Sequence, residues 1–213
     1  MLKSDVCVNG LVTRAAVTKT NSDGKSFVTF GLRTDTPYVT DLRTVLDISV
    51  SLDGNDTSGI VQNARVEVKG TLTFKKRGEK VYLNLHATEI NISPASTTDM
   101  ITGTLSFRGT LGKIIDSKTG KNGKPYLLFS GFSTEKVDES FEYTWVRFVL
   151  FGENAIIKPQ AKVEITGEME LSVYNDRLNI SCRVSEAKEW IRQPYAPETP
   201  QFNEQPESEQ CPL

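Results

Sequence analysis

The sequence contains a single histidine, His86, and only three cysteines, Cys7, Cys182 and Cys211, odd in number and far apart. That spacing excludes a disulfide framework and the paired ligands of a zinc site, so free thiols are expected. His86 has no cysteine or carboxylate cluster at ligand spacing, which sets aside a metal centre and histidine-based catalysis and leaves a surface histidine. Acidic residues are scattered without the pairing that acid and base roles require, so neither an enzyme nor a cofactor is expected. Gly120-Lys121-Asn122-Gly123-Lys124 looks superficially like a phosphate loop, but position 118 is lysine where a Walker motif requires glycine, and no helix follows. No apolar run approaches the ~18 residues of a membrane span. Met1 to Asp5 lacks a basic segment leading into an apolar run, so no export is expected and residence is cytoplasmic. The acceptor-like Asn55-Asp56-Thr57, Asn91-Ile92-Ser93 and Asn179-Ile180-Ser181 are then chance matches.

A strong charge of one sign is also missing. The 213 residues carry a net charge of -2, and four of the acidic residues (Glu198, Glu204, Glu207, Glu209) stand against one basic residue, Arg192, in the last 23 positions. The remaining body holds 24 basic and 23 acidic residues. Affinity for a polyanion would therefore come from local patches rather than from an overall field.

What is present is a repeat. Gly10-Leu11-Val12-Thr13-Arg14 aligns with Gly109-Thr110-Leu111-Gly112-Lys113 at an offset of 99, and Asp23-Gly24-Lys25-Ser26-Phe27-Val28-Thr29-Phe30 follows at the same offset on Asn122-Gly123-Lys124-Pro125-Tyr126-Leu127-Leu128-Phe129. Val66-Glu67-Val68-Lys69-Gly70 matches Val163-Glu164-Ile165-Thr166-Gly167 at 97. The chain reads as two copies of one domain, 1-93 and 100-190, with a linker at 94-99. Residues 191-213, rich in Pro, Glu and Gln, read as a disordered acidic tail.

Within each copy the apolar period is two. Five strands are expected in the first, at 6-17, 26-35, 44-53, 65-75 and 81-92. Five more are expected in the second, at 102-115, 125-135, 141-151, 161-173 and 177-187. Asp23-Gly24 and Asn122-Gly123 suit tight hairpins, while Gly10, Gly70, Gly109 and Gly167 fall inside strands, where a closing barrel bulges or bends. The one slot for a short helix lies between strands three and four, at 57-63 and 153-158. The fold class is thus all-β: two tandem five-stranded OB-fold barrels plus the tail.

The third strand of the second copy reads Tyr143-Thr144-Trp145-Val146-Arg147-Phe148-Val149-Leu150-Phe151-Gly152. If Val146, Phe148 and Leu150 fill the barrel, then Trp145, Arg147 and Phe151 face outward as a platform for stacking bases and holding phosphate. This strand resembles the W-x-R-x-x-x-F-G strand of bacterial single-stranded DNA-binding proteins, whose Trp and Phe stack on bases. The resemblance implies sequence-tolerant binding and protection of single-stranded DNA in replication, recombination and repair. It further implies dimerisation of a two-barrel chain, because the family assembles four OB domains. The short chain and degenerate tail suit a phage or mobile-element origin, in a host cytoplasm.

Around that strand, Lys113, Lys118, Lys121 and Lys124 ring the hairpin between strands one and two, and Tyr126 and Phe132 share the outward parity of strand two. Tyr174 offers a further ring between strands nine and ten, and each of the two tyrosines, Tyr126 and Tyr174, suits base stacking and closure of the barrel edge equally. In the first copy, Phe27 is outward beside Lys19 and Lys25, and Phe74, Lys75, Lys76 and Arg77 cluster before Tyr82. At an offset of 100, Val45, Asp47 and Ser51 stand where the second copy has Trp145, Arg147 and Phe151, a poor stacking face. The first copy is expected to hold the strand electrostatically, or else to serve assembly. At the tail, Glu207 and Glu209 precede Pro212 and Leu213, a weakened form of the acidic segment with an apolar tip by which the family recruits replication and repair proteins. Competing readings remain open: the exposed rings cover a dimer interface, the barrels act as a protein-interaction adaptor, or the ligand is RNA.

Overall fold

The computed structural model describes residues 1-36, 45-137, 139-175 and 177-191. Ten strands are present, close to the ranges expected. They are β1 (Leu2–Thr20), β2 (Ser26–Asp35), β3 (Val45–Asp53), β4 (Arg65–Arg77) and β5 (Lys80–Asn91), then β6 (Met100–Thr119), β7 (Pro125–Val137), β8 (Ser140–Phe151), β9 (Lys162–Tyr174) and β10 (Arg177–Glu189). In the first copy β1 pairs with β2 and β4, β2 with β3, and β4 with β5, all antiparallel. A parallel ladder between β3 and β5 closes the barrel. The second copy repeats this scheme, with β8 and β10 parallel. This is OB-fold order, twice over.

Alternation decides which side chains fill each barrel. Val8, Val12, Val28, Phe30, Leu32, Leu72 and Leu85 are almost wholly buried in the first, and Leu105, Phe107, Leu111, Phe148 and Ile165 in the second. Phe148 meets Phe107 edge-on at 5.0 Å between ring centroids and stacks on Phe129 at 5.2 Å. Cys182 is buried among these groups, and that burial pushes its thiol up to about 12. It and Cys7 are free thiols, while Cys211 lies outside the described residues.

No helix forms among the described residues. In both slots a looped segment is held by local backbone hydrogen bonds, from Ile60 N to Thr57 O and from Ile157 N to Asn154 O. Each segment buries one isoleucine, Ile60 or Ile157. Left-handed Gly59 and Asn63 interrupt the first segment, and left-handed Gly152 and Gln160 bracket the second.

The two barrels are joined by more than a linker. The first half of β1 is paired with β4 on one edge and, over Leu2 to Asn9, with β6 on the other. The result is one ten-stranded sheet. The register opposes Asp5 to Thr104, which are also equivalent at the 99-residue offset, so the contact is self-matching about a local two-fold axis. Ser4 Oγ donates to Thr104 O, and the Met1 and Arg108 backbones exchange hydrogen bonds at 2.9 and 2.8 Å. Arg65 pairs with Asp99 at the far end of the 94-99 segment.

Four of the in-strand glycines, Gly10, Gly70, Gly109 and Gly167, sit where a neighbouring backbone comes too close for a side chain. A Cβ on Gly10, Gly70 or Gly167 would lie 2.1 Å from the carbonyl oxygen of Arg33, His86 or Arg183, and one on Gly109 would lie 2.2 Å from that of Phe132. Because backbone cannot yield as a side chain can, Gly167→Ala is expected to destabilise the chain by about 1 to 3 kcal/mol. The measurement is the urea midpoint, and Ala at the exposed turn position Ser22 serves as a control.

Candidate nucleic-acid interface

Strand β8 alternates cleanly. Thr144, Val146, Phe148 and Leu150 point into the barrel, and Phe141, Tyr143, Trp145, Arg147 and Phe151 point out. Trp145 is 53% exposed and Phe151 62%. These three expected residues thus share one face. The row is longer than the three-residue reading, since Phe141 (58%) and Tyr143 (46%) extend it at the same odd spacing. Parity alone places both there.

The rings on this face hold one another. Phe132, opposite Trp145 on β7, lies 5.1 Å from the indole and 5.5 Å from the Tyr143 ring. At the other end Tyr126, opposite Phe151, lies 6.2 Å from it at a tilt of 43°. Tyr126 and Phe132 are therefore half-buried supports whose free faces continue the surface. Between the two ring groups stands Arg147, flanked by Ser130 on β7 and Ser181 on β10. Among the described residues no carboxylate pairs with it.

The lysines gather at one end. Lys118 is the register partner of Tyr126, so it shares the face of the rings. Lys121 and Lys124 are exposed on the hairpin tip, where Gly123 takes a φ of 73° and donates to Gly120 O. Lys113 is exposed within the bulge between Leu111 and Ile115. Tyr174 is 72% exposed at the β9–β10 turn.

The first barrel differs. Equivalence at the β2–β3 hairpin is two residues from the offset expected: Phe27 opposes Asp53 as Tyr126 opposes Phe151. The positions matching Trp145, Arg147 and Phe151 are therefore Asp47, Ser49 and Asp53. The conclusion drawn from Val45, Asp47 and Ser51 stands, because a shift of two keeps the face. Asp47 is paired with Arg33 at 3.0 Å, and Asp53 lies 3.9 Å from His86, whose Nδ1 is 3.4 Å from Ser51 Oγ. His86 is thus a surface histidine with a carboxylate beside it, a neighbour set by the fold and not by sequence spacing.

Phe74 is a correction. It is 4% exposed and belongs to the core with Leu72, because β4 alternates and Phe74 falls on its inward side. It cannot stack on a base. Phe27 is half-buried and Lys25 exposed, at the end of the first hairpin. Lys75, Lys76 and Arg77 are on the surface, but two of them face the second barrel: Lys75 pairs with Glu135, and Lys76 lies 3.8 Å from Glu142. Arg177 pairs with Glu79 at 2.6 Å across the same junction. Tyr82 is half-exposed, opposite Lys75 in register. The tail residues Glu207, Glu209, Pro212 and Leu213 lie outside the described residues.

No protein-family model matches the sequence, and no curated protein matches it. Among solved structures the chain is similar to the wild-type single-stranded DNA binding protein from Thermus aquaticus. That similarity has a TM-score of 0.47 at 14% identity, over 91% of this chain and 95% of that one. It is also similar to the small single-stranded DNA-binding protein from Streptomyces coelicolor, with a TM-score of 0.35 at 18% identity over 45% and 96% of the two chains. A third is the protein PriB from Ralstonia solanacearum, with a TM-score of 0.31 at 15% identity over 40% and 95%.

Ring pairs of this kind contribute about 0.5 to 1.5 kcal/mol beyond the area they bury. A double-mutant cycle of Phe132→Ala and Trp145→Ala, read by urea unfolding, is expected to return a coupling in that range. Strict additivity would mean that the indole is not held in place by its neighbour.

Proposed function

We propose that the chain binds single-stranded DNA without marked sequence preference and does no chemistry on it, with bases stacking on the β8 face of the second barrel. The observation that carries this is the row Phe141, Tyr143, Trp145, Arg147 and Phe151, 46 to 62% exposed in its rings and carrying a cation with no carboxylate partner among the described residues. Every base has a π-face, so such a row accepts any sequence. Lys118, Lys121, Lys124 and Lys113 supply phosphate contacts at one end. In this reading the domains are 1-93 and 100-190, and the biological role is coating single strands in replication, recombination and repair. Tail residues 191-213 recruit partner proteins, and the chain works as a homodimer in the cytoplasm.

The first barrel supports a second reading for itself alone. Its equivalent face carries Asp47, Ser49 and Asp53, which suits a protein surface better than a phosphate backbone. An adaptor function of the whole chain would leave the β8 row idle. Preference between DNA and RNA is decided by competition between matched oligomers.

Titration with oligo-dT, followed by tryptophan fluorescence, is expected to give quenching that weakens in salt. Trp145→Ala is expected to lose about 1 to 3 kcal/mol of affinity. Lys121→Gln is expected to flatten the slope of log affinity against log salt by about 0.7 per lost phosphate contact. Normal binding by Trp145→Ala would refute the stacking surface.

A further inference from the structure

Between the barrels runs a groove of about 640 Å³ whose walls include Lys75, Lys76, Arg77 and Tyr82 from the first barrel and Glu135 and Lys136 from the second. We propose that this groove holds the phosphodiester backbone of the same strand that stacks on β8. We propose further that Glu135 and Glu142 occupy its cations until that backbone displaces them. The inference rests on the single-strand reading above and adds to it a path and a competitor.

Continuity of the surface supports the path. Lys136 is the register partner of Phe141, the last ring of the β8 row, so the row ends on a cation that lines the groove. On the opposite wall Lys75 is the register partner of Tyr82, which is 50% exposed. A strand leaving β8 thus passes one ring, crosses a cationic gap and meets another ring. Arg77 and Lys136 have no carboxylate partner among the described residues.

The competitor follows from the ion pairs. Glu135 and Glu142 come from neighbouring strands of one hairpin, opposite each other in register, and reach across to Lys75 and Lys76. These side chains stay 27 to 50% exposed, and such pairs contribute little net stability. A phosphate offers the same charge and acceptor oxygens, so it replaces a carboxylate on lysine without a change of chemistry. Each exchange leaves a carboxylate beside the incoming backbone, which opposes binding.

The test uses the full chain and labelled oligo-dT of two lengths. One is about 6 nucleotides, within the site of one barrel, and the other about 35, long enough for both. Arg77→Gln combined with Lys136→Gln is expected to leave the short oligomer unchanged. For the long one it should weaken binding about tenfold and flatten the salt slope by about 1.4, two contacts' worth. Glu135→Gln combined with Glu142→Gln is expected to tighten the long oligomer and steepen its slope by a similar amount. No effect of the first pair on the long oligomer overturns the path. Unchanged or weaker binding by the second pair overturns the displacement. Trp145→Ala, run alongside, weakens both lengths if the β8 surface is correct, so failure of the groove and failure of the stacking face give different results.

Discussion

The antiparallel ladder between β1 and β6 is the constraint on which the rest of this molecule depends. A lone barrel of this topology leaves the first half of β1 with an open edge, a row of unpaired backbone groups that invites association. Here Lys3 to Asn9 are paired on both edges, with β4 and with the equivalent strand of the second copy. The pairing is self-matching about Asp5 and Thr104, so duplication of one domain satisfied both edges with a single contact. It also fixes where everything else lies. With β1 and β6 in register, the β4–β5 hairpin of one barrel is brought against the β7–β8 and β9–β10 hairpins of the other, and three cross-barrel ion pairs form there.

Alternation was enough to read the strands, their inward faces and the outward set on β8, because a half-buried strand must sort its side chains by parity. The same rule explains the misplaced phenylalanine. Phe74 sits beside three cations in sequence, and its neighbourhood suggested a binding loop, yet its even position in β4 puts it with Val66, Val68 and Leu72. Phe141 and Tyr143 show the reverse: their odd positions continue the Trp145 row, although both lie outside the Trp-x-Arg spacing that marks it in the sequence. The cross-barrel contacts were out of reach of any local pattern. Lys75 and Glu135 are 60 residues apart and meet only because two barrels dock in one register. Charge counted along the chain therefore made the first copy look more basic than its surface is.

The two copies also show which positions a fold constrains. At most equivalent inward sites both barrels keep apolar residues, as Phe30 and Phe129 do, because packing punishes a change of even one methylene. At the outward sites of the third strand the barrels differ, with Asp47, Ser49 and Asp53 on one and Trp145, Arg147 and Phe151 on the other. Nothing in barrel closure selects an outward residue. The outward difference between the copies therefore supports the separate task proposed for the second face.

A near-neutral body changes how such a face must work. With 24 basic and 23 acidic residues outside the tail, no long-range field gathers a polyanion, and screening confines each lysine to about 8 Å at physiological salt. Affinity then depends on contact, and contact is strongest where side chains are already ordered. Phe132 packs against Trp145 and Tyr143, and Tyr126 packs against Phe151, so on the reading proposed above a stacking base would immobilise little that was free. Arg147 completes the arrangement because no acid among the described residues neutralises it, whereas Arg33 in the first barrel is tied to Asp47. On the proposed reading, ring-to-ring support and an unpaired guanidinium would supply the contact energy that net charge does not provide.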